Sequence, residues 1–282
     1  MVNSKDARGP AVVLAACCHD RRNGTGSAGI RIGLASMDDA TATDEIALPG
    51  GRLTSGVVRV GETVRRPSKS SSPFTAQLLA HLHDCGCSWA PRYLGRDELG
   101  RDILSYLPGS TPKWSRFADR QVREAARILR QLHDNTRESR LAAGSVVCHN
   151  DPGPNNFVFR NDVPVGLIDF DMAMPGDPLE DLGYMAWSWC VSSKSERGPV
   201  ATQAQQVRVL VDAYGLSSED RQKLPDWIIE RQLRNARFWS ERLADSNGIP
   251  TSPTKMVELI DWSEREARYT EAHRRDFATA LS

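Results

Sequence analysis

No surplus of either charge marks this sequence: 36 basic residues face 36 acidic ones over 282 positions. A nucleic-acid polymer is therefore not an expected partner, because binding a phosphate backbone needs a clustered basic excess. No apolar run approaches the ~18 residues of a membrane helix, so no membrane partner is expected either. Cysteine is scarce. The six in the chain do not make a disulfide framework, and neither Cys17-Cys18 nor Cys85-Gly86-Cys87 has the two-residue gap of a typical zinc or redox pair. A reducing cytoplasm is the expected compartment. Internal repeats and low-complexity linkers are missing too. What is left, 40% hydrophobic and 26% charged residues, is an ordinary globular composition, long enough for one large domain or two lobes.

Apolar periodicity is also missing from the first 48 residues, which are rich in Gly, Ala, Ser, Thr and Asp. Residues 1–45 are read as an N-terminal extension, partly disordered. Within it, Ala11 to Cys17 follows Lys5 and Arg8 in the manner of a secretory signal. Its apolar part falls at or below the ~7–15 residues of a signal core, and a short strand or an over-called start site accounts for it better.

Beyond this the pattern turns to strands and then to helices. Val57 to Val60 and Thr63 to Arg66 are β-branched stretches around Gly61-Glu62, predicting a hairpin after the glycine turn Gly50-Gly51. Pro73 opens a helix to about Asp84, with Phe74, Leu78, Leu79 and Leu82 on one face. Tyr93-Leu94 and Ile103 to Leu107 predict two more strands before Pro108-Gly109 breaks the chain. Asp119 to Asn135 predicts an amphipathic helix with Val122, Ala125, Ala126, Leu129 and Leu132 at helical spacing. Residues 178–282 read as mostly helical. The resulting division is 46–107 as a sheet-bearing lobe and 108–282 as a helical one, an α+β chain.

The middle stretch carries the chemistry. Val146-Val147-Cys148-His149-Asn150-Asp151 leads to Asn155-Asn156, then Gly166-Leu167-Ile168-Asp169-Phe170-Asp171, then Gly176-Asp177-Pro178 and Asp181. Each polar cluster adjoins a short apolar strand, so carboxylates and amides converge at strand ends. That suits a metal–phosphate site: Mg²⁺ takes hard oxygen ligands, which Asp169 and the amide oxygen of Asn156 can offer. Asp151, five positions before Asn156 and eighteen before Asp169, is placed to accept the proton of an attacking hydroxyl. Asp177 has a local reading as a helix N-cap before Pro178.

His149-x-Asp151-x-x-x-x-Asn156, followed by Ile168-Asp169-Phe170-Asp171 and Gly176-Asp177-Pro178-x-x-Asp181-Leu182, resembles the catalytic core of the aminoglycoside phosphotransferase and choline kinase group. The resemblance runs loosely from about Leu48 to Trp189. It implies a protein-kinase-like fold, with a small antiparallel-sheet N-lobe of five strands, a larger mainly helical C-lobe, and ATP between them. Val64-Arg65-Arg66-Pro67 together with Asp169-Phe170-Asp171 is similar to a bacterial branch labelled trifolitoxin immunity or processing proteins. By resemblance Asp151 is the catalytic base, Asn156 and Asp169 are Mg²⁺ ligands, His149 braces the catalytic loop, and Asp181 accepts loop N–H groups in structural support. Asp171 is either a further metal contact or only a turn cap.

Two departures stand out. The lysine expected on the third strand is replaced by Arg65 or Arg66, which keeps the charge and changes the geometry, as in choline kinases. Strand alternation puts only one of them in the cleft, and Arg66 is preferred because Val64 then faces the adenine. Gln77 stands where the partner Glu would be expected on the following helix. The loop from Gly50 and Gly51 to Gly56 matches no strict phosphate-binding fingerprint; it offers N–H groups to phosphates or is a plain turn. Backbone groups near Tyr106 and Leu107 are the expected adenine contacts. The tryptophans Trp187, Trp189, Trp227, Trp239 and Trp262 are core, or form a box for a cationic substrate, to which Asp226, Glu230 and Glu241 would add charge.

The expected function is thus an ATP- and Mg²⁺-dependent kinase whose partners are the nucleotide and a small-molecule hydroxyl acceptor. The resemblance covers enzymes of aminoglycoside resistance and also kinases of choline, homoserine and sugars. The absent Lys–Glu pair keeps a second expectation open, a nucleotide-binding pseudokinase serving as an immunity or accessory protein.

Overall fold

A computed structural model describes residues 44–48, 54–112, 116–245 and 250–282. Gly50 and Gly51 lie outside the described residues, as does almost all of the expected extension. Its last residues do not: Glu45 pairs with Arg101 at 2.7 Å, and Ile46–Ala47 forms an edge strand, β1, within the stretch that lacked apolar periodicity. Two residues are too few to show a period.

The hairpin of β2 (Val58–Val60) and β3 (Thr63–Arg66) turns at Gly61-Glu62, where Gly61 takes a positive φ of 56°. Helix α1 (Ser72–Asp84) follows, with Leu78, Leu79 and Leu82 buried, and then β4 (Tyr93–Arg96) and β5 (Asp102–Ser105). The five strands form one antiparallel sheet in the order β1-β2-β3-β5-β4. Pro108-Gly109 then leads away from the sheet, and Ser110 pairs with Phe159 in an isolated bridge.

The remainder is mainly helical. In α2 (Asp119–Thr136) the five apolar residues read at helical spacing are fully buried, and Gln121 Oε1 accepts the Ala118 N–H at 2.8 Å to close the first turn. Short strands follow: β6 (Val146–Cys148), β7 (Phe157–Arg160), β8 (Val163–Leu167) and β9 (Met174–Gly176), paired as β6-β9 and β7-β8. The helices are α3 (Pro178–Met185), α4 (Val200–Tyr214), α5 (Ser218–Ala244), α6 (Pro253–Ala272) and α7 (Arg274–Leu281). Asp177 caps α3 by accepting the Leu179 N–H at 2.8 Å.

Trp187, Trp189 and Trp239 are buried, and Trp227 and Trp262 pack partly buried against the core, so the core reading holds for the tryptophans. Trp189 lies within 5.1 Å of Phe157 and 4.6 Å of Phe117, ring centre to ring centre. Asp226 is clasped by Arg274 at 2.6 and 2.7 Å, and Glu230 pairs with Arg234 and Arg237. Cys85, Cys87, Cys148 and Cys190 are free thiols. Among the described residues no helix is long and apolar enough to cross a membrane.

Candidate active site

The loop after β6 is held from below by one buried carboxylate. Asp181, on the first turn of α3, accepts the N–H of His149 through Oδ2 at 2.6 Å and that of Asn150 through Oδ1 at 2.7 Å. His133 Nε2 meets Oδ2 at 3.0 Å, and Tyr214 hydroxyl meets the other imidazole nitrogen at 2.7 Å. Burial pushes the Asp181 pKa up, but the hydrogen bonds and charge of His133 and the His149 N–H hold it below the ordinary carboxylate value. His133, Cys148 and Asp181 converge closely enough to suggest metal ligands, yet each has a protein partner: the Cys148 thiol donates to the Asp177 carbonyl at 3.2 Å.

His149 is fully buried and joins two segments. Its Nε2–H donates to the Ile168 carbonyl at 3.0 Å, and Nδ1 accepts the Asp151 N–H at 3.3 Å, an arrangement that requires the Nε2–H tautomer. Its ring meets Phe170 edge-on at 4.8 Å. Asn150 has a φ of 64°, a left-handed conformation that costs a non-glycine residue energy and that the Asp181 bond offsets. Arg231 of α5 donates to the Asn150 carbonyl at 2.7 Å, and Trp189 donates to that of Pro152 at 3.0 Å. Asp151 is thus mounted on a loop fixed at four successive residues.

Asn156 bridges to the next segment. Its Nδ2 donates to the Asp151 carbonyl at 2.8 Å and to Asp151 Oδ2 at 2.9 Å, while its own carbonyl accepts the Ile168 N–H at 2.9 Å. Asp169 follows directly, with a φ of 66°. Its carboxylate has no hydrogen-bond donor among the described residues, and its nearest cation is Arg66 at 3.8 Å. Burial, then the charges of Asp171 and Asp151, raise its pKa to about 6. Since 42% of this side chain is open to solvent, the crowded carboxylates are the firmer cause.

The two arginines part company. Arg65 donates to Thr63 Oγ1 at 2.7 Å and lies 3.8 Å from Asp97, whereas Arg66 is buried and reaches Asp171 at 2.5 Å. Gln77 is exposed and does not hold Arg66; the α1 residue that faces this turn is Thr75, which donates to the Phe170 carbonyl at 3.2 Å. Sequence reading missed Lys69, whose Nζ lies 2.7 Å from the second Asp171 oxygen. It sits in a loop between elements, where neither strand nor helix period applies; its position three residues after Arg66 was the available signal. Both Asp171 oxygens therefore face cations. At the interlobe turn, the Tyr106 N–H donates to the Glu62 carbonyl at 2.9 Å and its ring lies beneath Arg59, while the Leu107 side chain lies over Gly166 of β8.

A model of the Phosphotransferase enzyme family matches residues 76–227, a span that contains Asp151, Asn156, Asp169 and Asp181. The chain belongs to this family. It is 30% identical over 263 residues to the trifolitoxin immunity protein of Rhizobium leguminosarum bv. trifolii, covering 85% of this chain and 99% of that one. The fold is that of a choline/ethanolamine kinase family protein from Mesorhizobium loti, at a TM-score of 0.58, 16% identity, and coverage of 87% of this chain and 94% of that chain. A spectinomycin phosphotransferase solved with ADP and spectinomycin is equally similar, at a TM-score of 0.58, 14% identity, and coverage of 81% and 92%. The protein-kinase-like architecture expected from the sequence, sheet first and helices after, is the one observed.

Proposed function

We propose that this phosphotransferase is a kinase that uses ATP and Mg²⁺ to phosphorylate a hydroxyl of a small molecule. Residues 46–107 form its nucleotide-binding lobe and 108–282 its catalytic and acceptor-binding lobe. The observation that carries the reading is the convergence of Asp151, Asn156 and Asp169, with the Asp169 carboxylate lacking a donor among the described residues and facing Arg66. A crowded, half-open carboxylate beside an amide oxygen is what a hard divalent cation relieves, so the residues fit Mg²⁺. Asn156 and Asp169 would hold it. Asp171, with both oxygens against cations, fits less well. When bound, the ion supplies neutralisation of phosphate charge.

Asp151 orients the acceptor hydroxyl and takes its proton as the oxygen attacks the γ-phosphorus; the new O–P bond forms while the bond to the β-phosphate oxygen breaks and ADP leaves. His149 and Asn156 fix the Asp151 loop, so the carboxylate is positioned before substrate arrives. Arg66 grips nucleotide phosphates, and the glycine loop offers its N–H groups to them. Because the Tyr106 N–H is already donated, the adenine contact falls to the Tyr106 carbonyl and the backbone of Leu107.

The deciding experiment is Mg²⁺-dependent ATP and GTP turnover against aminoglycosides, choline, amino alcohols and sugars, with Asp151→Asn beside the wild type. Acceptor-stimulated turnover that falls by about 10²–10⁴-fold in the variant supports the kinase. A second reading draws on the near full-length similarity to an immunity protein and on the exposed Gln77: a nucleotide-binding pseudokinase acting as an immunity or accessory protein. It predicts nucleotide binding without turnover, and a biological effect that survives Asp151→Asn.

A further inference from the structure

Asp171 is the centre of an ion cluster that joins three separate segments. One oxygen lies 2.5 Å from Arg66 Nη1 at the end of β3, and the other 2.7 Å from Lys69 Nζ in the loop before α1. The same ammonium bonds Thr54 Oγ1, on the chain that leads to β2. Its backbone is not free to wander. The Lys69 N–H donates to Ser72 Oγ at 2.9 Å and its carbonyl accepts the Ser72 N–H at 3.0 Å, while Ser72 Oγ in turn bonds the buried Asp102.

The cluster is nevertheless not saturated. Arg66 and Lys69 share the Asp171 carboxylate, with Asp169 3.8 Å from Arg66 and the charge of buried Asp102 also close to that guanidinium. Arg66 Nε is buried without an acceptor among the described residues, and Lys69 has a third ammonium proton beyond those directed at Thr54 and Asp171. Spare donors on Arg66 and Lys69, beside a carboxylate with no donor among the described residues, suit a polyanion that also brings a cation.

We infer that Lys69 is a second phosphate-binding cation for the nucleotide, and that Asp171 positions both Lys69 and Arg66, supplying from the turn after β8 the counter-ion that α1 lacks. This rests on the nucleotide-dependent reading above and adds a residue to it. Asp171 is here a positioning residue and not a metal ligand.

The test is calorimetric binding of MgATP and of adenosine to the full chain, for the wild type, Lys69→Met, Lys69→Arg and Asp171→Asn. Lys69→Met takes a charge-assisted bond away from the phosphates, which lowers MgATP affinity by roughly tenfold or more and leaves adenosine affinity unchanged. Lys69→Arg keeps MgATP affinity within about threefold, since the charge remains. Asp171→Asn weakens MgATP binding in the same selective way by loosening both cations. Lys69→Met binding MgATP like the wild type overturns the inference and leaves the kinase reading standing, with Lys69 a half-exposed ion pair. Equal weakening for MgATP and adenosine overturns it too, as damage to the lobe. A wild type that binds neither ligand overturns the nucleotide reading itself.

Discussion

The Oδ1 of Asp181 accepts the backbone N–H of Asn150 at 2.7 Å, and so holds a non-glycine residue at a φ of 64° immediately before Asp151. A helix N-terminus, a buried carboxylate and a strained loop form one device. Asp181→Ala leaves the buried His149 N–H, the part-buried Asn150 N–H and His133 without their acceptor. Leaving buried donors without an acceptor costs about 1–3 kcal/mol each, which urea unfolding at pH 7 would read directly. A loss under about 1 kcal/mol would mean that the loop is held by Arg231 and Trp189 alone.

The same carboxylate makes stability depend on acid. Its folded-state pKa lies below the ordinary value of about 3.9, so the unfolded chain binds the proton more readily. The stability it contributes is complete above that ordinary value and is lost as pH falls through its own lower one. The gap in unfolding free energy between wild type and Asp181→Asn should hold constant from pH 7 to about pH 5 and narrow below about pH 4. Urea titrations across that range check it, and a gap that widens toward acid would reverse the assignment.

Arg65 and Arg66 are neighbours on one strand with different fates, which predicts different phenotypes. Arg66→Met removes the buried guanidinium beside Asp171 and should weaken MgATP binding by roughly tenfold or more. Arg65→Met removes a hydrogen bond to Thr63 and a distant ion pair with Asp97, and should leave MgATP affinity within about twofold. Fluorescence titration of both variants separates them; equal weakening would place the whole strand, and not one side chain, against the nucleotide.

What the sequence disclosed depended on whether a local rule governed the residue. The face of α2 and the hairpin at Gly61 follow from side-chain period and turn chemistry, and both stand where that reasoning put them. Spacing singled out Asp151, Asn156 and Asp169, and short strands ending beside one another bring the three together. Lys69 fell under neither rule, its place three residues after Arg66 being the one hint, because its bond to Asp171 spans 102 positions. Gln77 shows the converse. Expecting an Arg66 partner on α1 assumed that the helix turns that residue inward, but Thr75, Leu78 and Leu79 are its buried positions and Gln77 faces solvent.

Gly109 closes the connection between sheet and helices, and its lack of a side chain is a packing requirement. A Cβ there would stand 2.5 Å from the Phe159 carbonyl oxygen and 2.5 Å from Val158 Cγ1, and its φ of 150° is one that L residues rarely adopt. That carbonyl accepts the Ser110 N–H at 3.0 Å, and the Ser110 carbonyl accepts the Phe159 N–H at 2.7 Å, so the clash falls on the reciprocal pair that ties the interlobe turn to β7. Backbone cannot yield as a long side chain can. Gly109→Ala should therefore destabilise the protein by about 1–3 kcal/mol, the range for forced overpacking, and lower the thermal midpoint accordingly. An unchanged midpoint would show that the turn can lift off β7 at no cost, and that the position of residues 106–109 is set by Leu107 over Gly166 instead.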